Sequence, residues 1–253
     1  MKQYILLFGL LFFVSIGNAQ VLIGAPETKG KTEKKKTEKP KELKFVPLTE
    51  LGTRVCLTAN WSSSFRTLTE NGPLYGDPLG KRADEKAAQL WSYCLGIQND
   101  LTKHIFWDAG IAYVQNGEDY SFVGSDSTYS YQTRYHYISM PLRVNYKVQK
   151  NRFHFYAGIG LLPQMNISSK RTINWQVNNE SAKELTEGLS EKTSPFSVSG
   201  LLNFGLMIDF NKGFSLLISP EMRVQFNSSF DQYQSYIHKN QAYGISFGLT
   251  KKM

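Results

Sequence analysis

Four histidines, His104, His136, His154 and His238, are the side chains of this sequence best suited to moving protons near neutral pH. A hydrolase or acyltransferase would set one of them beside a serine or a carboxylate. His136 and His238 have serines nearby, yet serine and threonine are so frequent there that the proximity carries little information. His104 and His154 flank short polar turns, where a structural or solvated histidine is the usual case. No nucleophile signature, metal-ligand spacing or phosphate-cradling loop is present. The sequence therefore assigns no catalytic residue, no metal ligand and no cofactor, and an enzyme is the minority reading.

The other chemistry-bearing residues are ionisable groups at regular positions. Asp108, Arg143, Lys147, Asp209, Glu221 and Arg223 each stand on the polar side of a stretch in which apolar and polar residues alternate. In YISMPLRVNYKV, for example, Ile138, Met140, Leu142, Val144 and Tyr146 form one set, with Ser139, Pro141, Arg143, Asn145 and Lys147 between them. A period of two is a β-strand with one wet and one dry face. The same signal recurs in TRVCLTANWSSSF, QLWSYCLGIQ, HIFWDAGIAYV, FHFYAGIGL, PFSVSGLLNFGLMIDF, FSLLISPEMRVQF and AYGISFGLTKKM.

These eight stretches match the roughly 9–11 residues that cross a bilayer at a tilt. Short turns at 99–103, 149–151 and 211–213 alternate with long polar loops at 69–87, 116–133, 168–194 and 227–240. That alternation is the layout of an outer-membrane barrel, with turns periplasmic and loops outside. A soluble β-sandwich would turn its apolar faces to a core and scatter its loop lengths. Aromatics also fall at two heights. Trp61, Trp91, Tyr113, Phe226 and Tyr243 lie near the loops, and Trp107, Tyr146, Phe153, Phe210 and Phe214 near the turns. Two girdles mark two membrane interfaces, so the dry face meets lipid. The expected fold is all-β, an eight-stranded antiparallel up-and-down transmembrane β-barrel. Pro141 and Pro220 inside strands are expected to mark bulges, and SAKELTEGLSEK in the 168–194 loop reads as a short helix.

The interior of an eight-stranded barrel is just filled by its own side chains, so a general diffusion pore is not expected. Asp108, Arg143, Lys147, Asp209, Glu221 and Arg223 then share the lumen as a polar cluster, paired because buried charges must be. Asp108 and Arg143 fall at similar heights on adjacent strands. A proton path or gated channel is the sharper alternative. Cys56 and Cys94 both point inward on neighbouring strands. Two small inert fillers are the first reading, and a disulfide in an oxidising compartment is the second.

YISMPLRVNYKV followed by a turn and FHFYAGIGLL resembles the fourth and fifth strands of the PorT-like outer-membrane β-barrel family, with its "IPL" strand and then its "Y-G-x-G" strand. The closing NQAYGISFGLTKKM is similar to that family's last strand, although it ends in Met253 where a terminal aromatic is usual. The resemblance spans residues 51–253 and consists of pattern more than fixed motif. It implies the fold, and a part in protein secretion across the outer membrane as one expectation. It also implies insertion by the barrel-assembly machinery.

MKQYILLFGLLFFVSIGNAQ has the basic start, apolar run and small residues of a secretory signal peptide cut after Ala19. Residues 20–50 follow as a Lys/Glu-rich periplasmic linker, solvated because it has little apolar area to bury. The formal net charge of +8 is concentrated in that tail and near the turns, facing anionic lipid heads or an acidic periplasmic partner. Export excludes nucleic acid as the partner. The expected function is a non-enzymatic structural or interaction role, with surface loops outside and a basic tail inside. An accessory role in secretion and a lipid-modifying enzyme are the alternatives. Outer-membrane lipid and a periplasmic or outer-membrane protein are the expected partners.

Overall fold

The computed structural model describes residues 52–70, 84–177, 181–210, 213–230 and 236–253. The signal peptide, the Lys/Glu-rich linker, most of the 69–87 loop and two residues of the 211–213 turn lie outside the described residues. The elements are β1 (Thr53–Glu70), β2 (Glu85–Asp100), β3 (Ile105–Val123), β4 (Ser127–Ser139), β5 (Leu142–Lys150), β6 (Phe153–Val177), β7 (Lys183–Gly188), β8 (Phe196–Asp209), β9 (Phe214–Gln225) and β10 (Tyr236–Lys252).

All pairings are antiparallel, and they close a ring. β4 and β5 form one stave, because both pair with β3 on one side and β6 on the other. The ring of eight staves therefore runs β1, β2, β3, β4 with β5, β6, β8, β9, β10 and back to β1. A closed ring leaves no open sheet edge in the hydrocarbon, the condition for a β-protein to span a membrane.

Parity along each strand is as the alternation requires. Leu57, Leu95, Ile111, Val144, Phe155, Leu202 and Phe247 stand outward and exposed, while Asn60, Gln98, Asp108, Asn145, Asn203 and Ser246 are buried inside. The aromatics of both girdles also face outward. At the turn end, Asn151 adopts a left-handed φ of 57°, which asparagine tolerates well.

The prolines act differently from the bulges expected of them. Pro141 splits the fourth stave, yet Gly110 N–H still donates to the Pro141 carbonyl at 3.2 Å and Met140 N–H to the Pro163 carbonyl at 3.0 Å. Pro220 faces Phe204 in a register that is unchanged on either side. There the Ser219 hydroxyl donates to the Phe204 carbonyl at 2.7 Å, a service that proline, having no N–H, does not provide. Register shifts occur instead between Ala87 and Tyr93, and between His136 and Tyr137.

The loops also differ from expectation. The 116–133 segment is the continuation of β3 and β4 into a projecting hairpin, with Val123 opposite Thr128 and Gly124 N–H bonded to the Ser127 carbonyl at 2.8 Å. The expected helix in 181–192 is strand β7, paired with the upper part of β6 from Lys170↔Gly188 to Trp175↔Lys183. A helix this short is marginal by itself. Pairing with β6 satisfies the same backbone groups, and Gly188 suits a strand end better than a helix interior.

Candidate functional site

The lumen is built in storeys. Nearest the turns, Asp100 accepts from Lys147 and, at 3.3 Å, from Arg54. Beside them His154 Nε2 meets Asp209 Oδ2 at 2.7 Å, and the Ser215 hydroxyl donates to Asp209 Oδ1 at 2.6 Å. The carboxylate stands between serine and imidazole, which is the wrong order for a serine nucleophile activated by histidine. Phe106, Tyr156, Met207 and Leu217 form an apolar layer.

At mid-height, Arg143 Nε lies 2.6 Å from Asp108 Oδ1 and Arg143 Nη1 lies 3.1 Å from Glu221 Oε2. Asn145 donates to Asp108 at 2.7 Å, and Asn203 donates to Asn145 at 3.0 Å. Arg223 reaches Ser62 at 2.9 Å and Glu221 at 3.9 Å. A second apolar layer of Ala112, Val114, Tyr135, Tyr137, Leu162 and Leu201 closes the lumen above.

The six charged residues expected to share one cluster thus divide. Asp108, Arg143, Glu221 and Arg223 form a connected network. Lys147 and Asp209 sit at the turn end with Asp100 and His154 as partners. Cavities of about 40 and 10 Å³ border the central network, room for at most a few water molecules. Cys56 and Cys94 are free thiols. The register sets Cys56 opposite Gly96 and Cys94 opposite Thr58, so the cysteines are diagonal neighbours and the disulfide is not formed.

The glycines of FHFYAGIGL are explained by this filling. A Cβ on Gly158 would meet Asn145 Cγ at 2.7 Å, and one on Gly160 would meet Arg143 Cγ at 2.6 Å. Gly158 and Gly160 are thus the space through which Asn145 and Arg143 enter the lumen.

Above the membrane a second cluster appears that the sequence reading missed. Glu118, fully buried on upper β3, meets His238 Nε2 at 2.9 Å, Arg66 Nε at 3.5 Å and Arg171 Nη2 at 3.8 Å. Arg66 also pairs with Glu85 and donates to the Tyr131 hydroxyl at 2.9 Å. The guanidinium carbons of Arg66 and Arg171 stand 5.9 and 5.5 Å from the Tyr131 ring centre. Tyr120 stacks on Tyr131 at 5.1 Å. Burial pushes the Glu118 carboxyl up, but His238, Arg66 and Arg171 outweigh it and hold it below its ordinary range.

On this cluster stands a four-stranded blade made of the upper parts of β3, β4, β6 and β7. Its lumen-side face carries two cross-strand rows: Tyr120, Tyr131, Ile173 and Leu185, and above them Phe122, Tyr129, Trp175 and Lys183. Its opposite face carries Asp119, Gln132, Thr172 and Thr186. The period-two run of Tyr129, Tyr131, Thr133, Tyr135 and Tyr137 was the sequence signal for this extension.

The two outer histidines are both engaged. His238 is buried against Glu118 and packs on Phe230 at 5.1 Å. His136 faces outward, with Nδ1 2.6 Å from the Tyr113 hydroxyl. Among the described residues neither ring hydrogen-bonds to a serine hydroxyl.

Residues 95–227, just over half of the chain, match the family described as outer membrane protein beta-barrel domain. Among curated proteins no relative matches the sequence. Among solved structures the chain is similar to Neisserial surface protein A, at 10% identity, TM-score 0.40, 79% of this chain and 97% of that one. It is similar to the N-terminal β-barrel domain of Pseudomonas aeruginosa OprF at 11% identity, TM-score 0.36, 79% of this chain and 97% of that one. For Ail of Yersinia pestis the values are 10%, 0.33, 79% and 98%.

Proposed function

We propose that this chain, which belongs to the outer membrane protein beta-barrel domain family, is a non-enzymatic interaction protein whose contact surface is the extracellular blade. The observation that carries this reading is the upper row Phe122, Tyr129, Trp175 and Lys183, an aromatic strip held clear of the membrane on paired strands. Rigid aromatics supply contact area at a low cost in conformational entropy, and the Ser/Tyr-rich tip adds adaptable hydrogen bonds. The packed lumen directs function to the surface, because the cavities at its centre are too small for a solute.

The PorT-like resemblance supports a second reading, an accessory part in protein secretion. The glycines that carry much of that resemblance serve lumen packing, so they speak for the barrel more than for secretion. The lipid-modifying enzyme has less support, since His136 faces a tyrosine and His238 a buried glutamate.

The test uses the purified barrel in detergent, passed over immobilised host-surface proteins and over outer-membrane proteins of the producing cell. Retention lost in a Phe122→Ser/Trp175→Ser variant supports the blade. Equal retention of both proteins, or lipid A modification that His136→Ala or His238→Ala abolishes, would overturn it.

A further inference from the structure

Arg134 and Lys170 stand directly opposite each other on β4 and β6, both on the outward face. Like charges placed so repel, and sheets normally avoid them. The cross-strand row reads Gly117, Arg134, Lys170, Gly188, two cations between two glycines. A Cβ on Gly117 would crowd the Arg134 side chain at 3.2 Å, and one on Gly188 would meet nothing within 4 Å. The row is therefore open on the Lys170 side.

Arg134 is held by one corner. Its Nη1 pairs with Asp119 at 2.5 Å and donates to the Thr133 and Glu118 carbonyls at 3.0 and 3.3 Å. Among the described residues all its hydrogen bonds run through Nη1, so Nε and Nη2 keep their donors. Lys170 is exposed and has no ion-pair partner among the described residues. The Asp119 carboxylate thus serves Arg134, and Lys170 is left without a carboxylate among the described residues.

Height identifies what would complete the pair. Arg134 lies four residues beyond Ile138, the last apolar outward residue of β4. Four residues of tilted strand rise about 10 Å, which reaches the outer edge of the polar headgroup layer. The anions of that layer are lipid phosphates. We propose that Arg134 and Lys170 form a binding site for a phosphate group of an outer-leaflet lipid, seated between the two strands against the open flank at Gly188. A guanidinium fork and an ammonium are the usual pair for such an anion.

The experiment titrates the detergent-solubilised barrel with lipid A bearing both phosphates and with the same lipid dephosphorylated, and counts bound lipid by native mass spectrometry. Wild type should prefer the phosphorylated lipid by about tenfold, and Arg134→Gln/Lys170→Gln should reduce that preference to about twofold or less. Lys170→Gln alone alters an exposed side chain, keeps the Asp119 ion pair and should lie between. Lys150→Gln at the turn end should match wild type. Equal binding of both lipids by wild type, or full preference in the correctly folded double variant, would overturn the site. Complete displacement by millimolar inorganic phosphate would overturn the lipid as its source.

Discussion

The lower and upper halves of the same strands make opposite use of their two faces. On lower β3 the outward residues are Ile105, Trp107 and Ile111, while Asp108 points into the lumen. On upper β3 the outward residues are Gly117, Asp119 and Ser121, with Val123 at the tip, while Tyr120 points inward. β4 with β5 repeats the inversion. Val144 and Leu142 face lipid below with Asn145 inside, and Gln132 faces out above with Tyr131 inside. Nothing in the backbone changes so abruptly. What changes is the outside medium, from hydrocarbon to water, and each face takes the side chains that medium rewards. The crossing lies near the register shift at His136/Tyr137, which re-phases β6 against β4.

The harshest way to break the lower half is Asp108→Leu. It leaves Arg143 with Glu221 alone and Asn145 without its acceptor, so the expected cost is about 3–5 kcal/mol. A fall in the urea midpoint of the refolded barrel measures it. A paired substitution sets the two outside media against each other. Ile111→Arg puts a charge in lipid and should cost about 2–4 kcal/mol. Thr172→Arg, outward on the blade, should change stability by no more than about 0.5 kcal/mol.

The upper cluster should respond more mildly. Tyr131→Phe removes the acceptor of an Arg66 hydrogen bond and should cost about 1 kcal/mol, read from the same unfolding curves. Its acid response follows from Glu118, whose native pKa is depressed. Such a group contributes stability above the ordinary carboxylate value of about 4.3, and that contribution is lost as pH falls through the native value. Protection factors of the blade amides, each taken against the intrinsic exchange rate at the same pH, should therefore fall in acid, with a much smaller acid step in Glu118→Gln. Phe122→Ser should be the gentlest change, leaving the unfolding curve in place.

The eight staves were legible because lipid enforces one uninterrupted phase of alternation, and the Asp108–Arg143 pair because its members face each other across adjacent staves. Lys147 and Asp209 were read as lumen residues, but their partners were not, because Asp100 read as part of a turn and His154 as a structural or solvated histidine with no partner named. The blade was legible only in part: the alternating tyrosines Tyr129, Tyr131, Tyr135 and Tyr137 mark strand ends that project above the membrane, while its inverted faces concealed the rest. With Ser, Thr and Gln outside and Tyr inside, 116–133 has the composition of a loop. β7 read as a helix because Leu185 and Leu189 sit at helical spacing, whereas its backbone is claimed by β6. Glu118, Arg66 and Arg171 come together only through that extension, and no local motif announces them.

The staves pass from lipid into water and continue as a blade. Single nitroxide labels at Ile111 and at Thr172, on a background with Cys56 and Cys94 replaced by serine, test it in reconstituted vesicles. Oxygen should dominate relaxation at position 111 and a water-soluble metal chelate at position 172. Chelate-dominated relaxation at 111 would contradict the lipid-facing wall, and oxygen-dominated relaxation at 172 would contradict the blade.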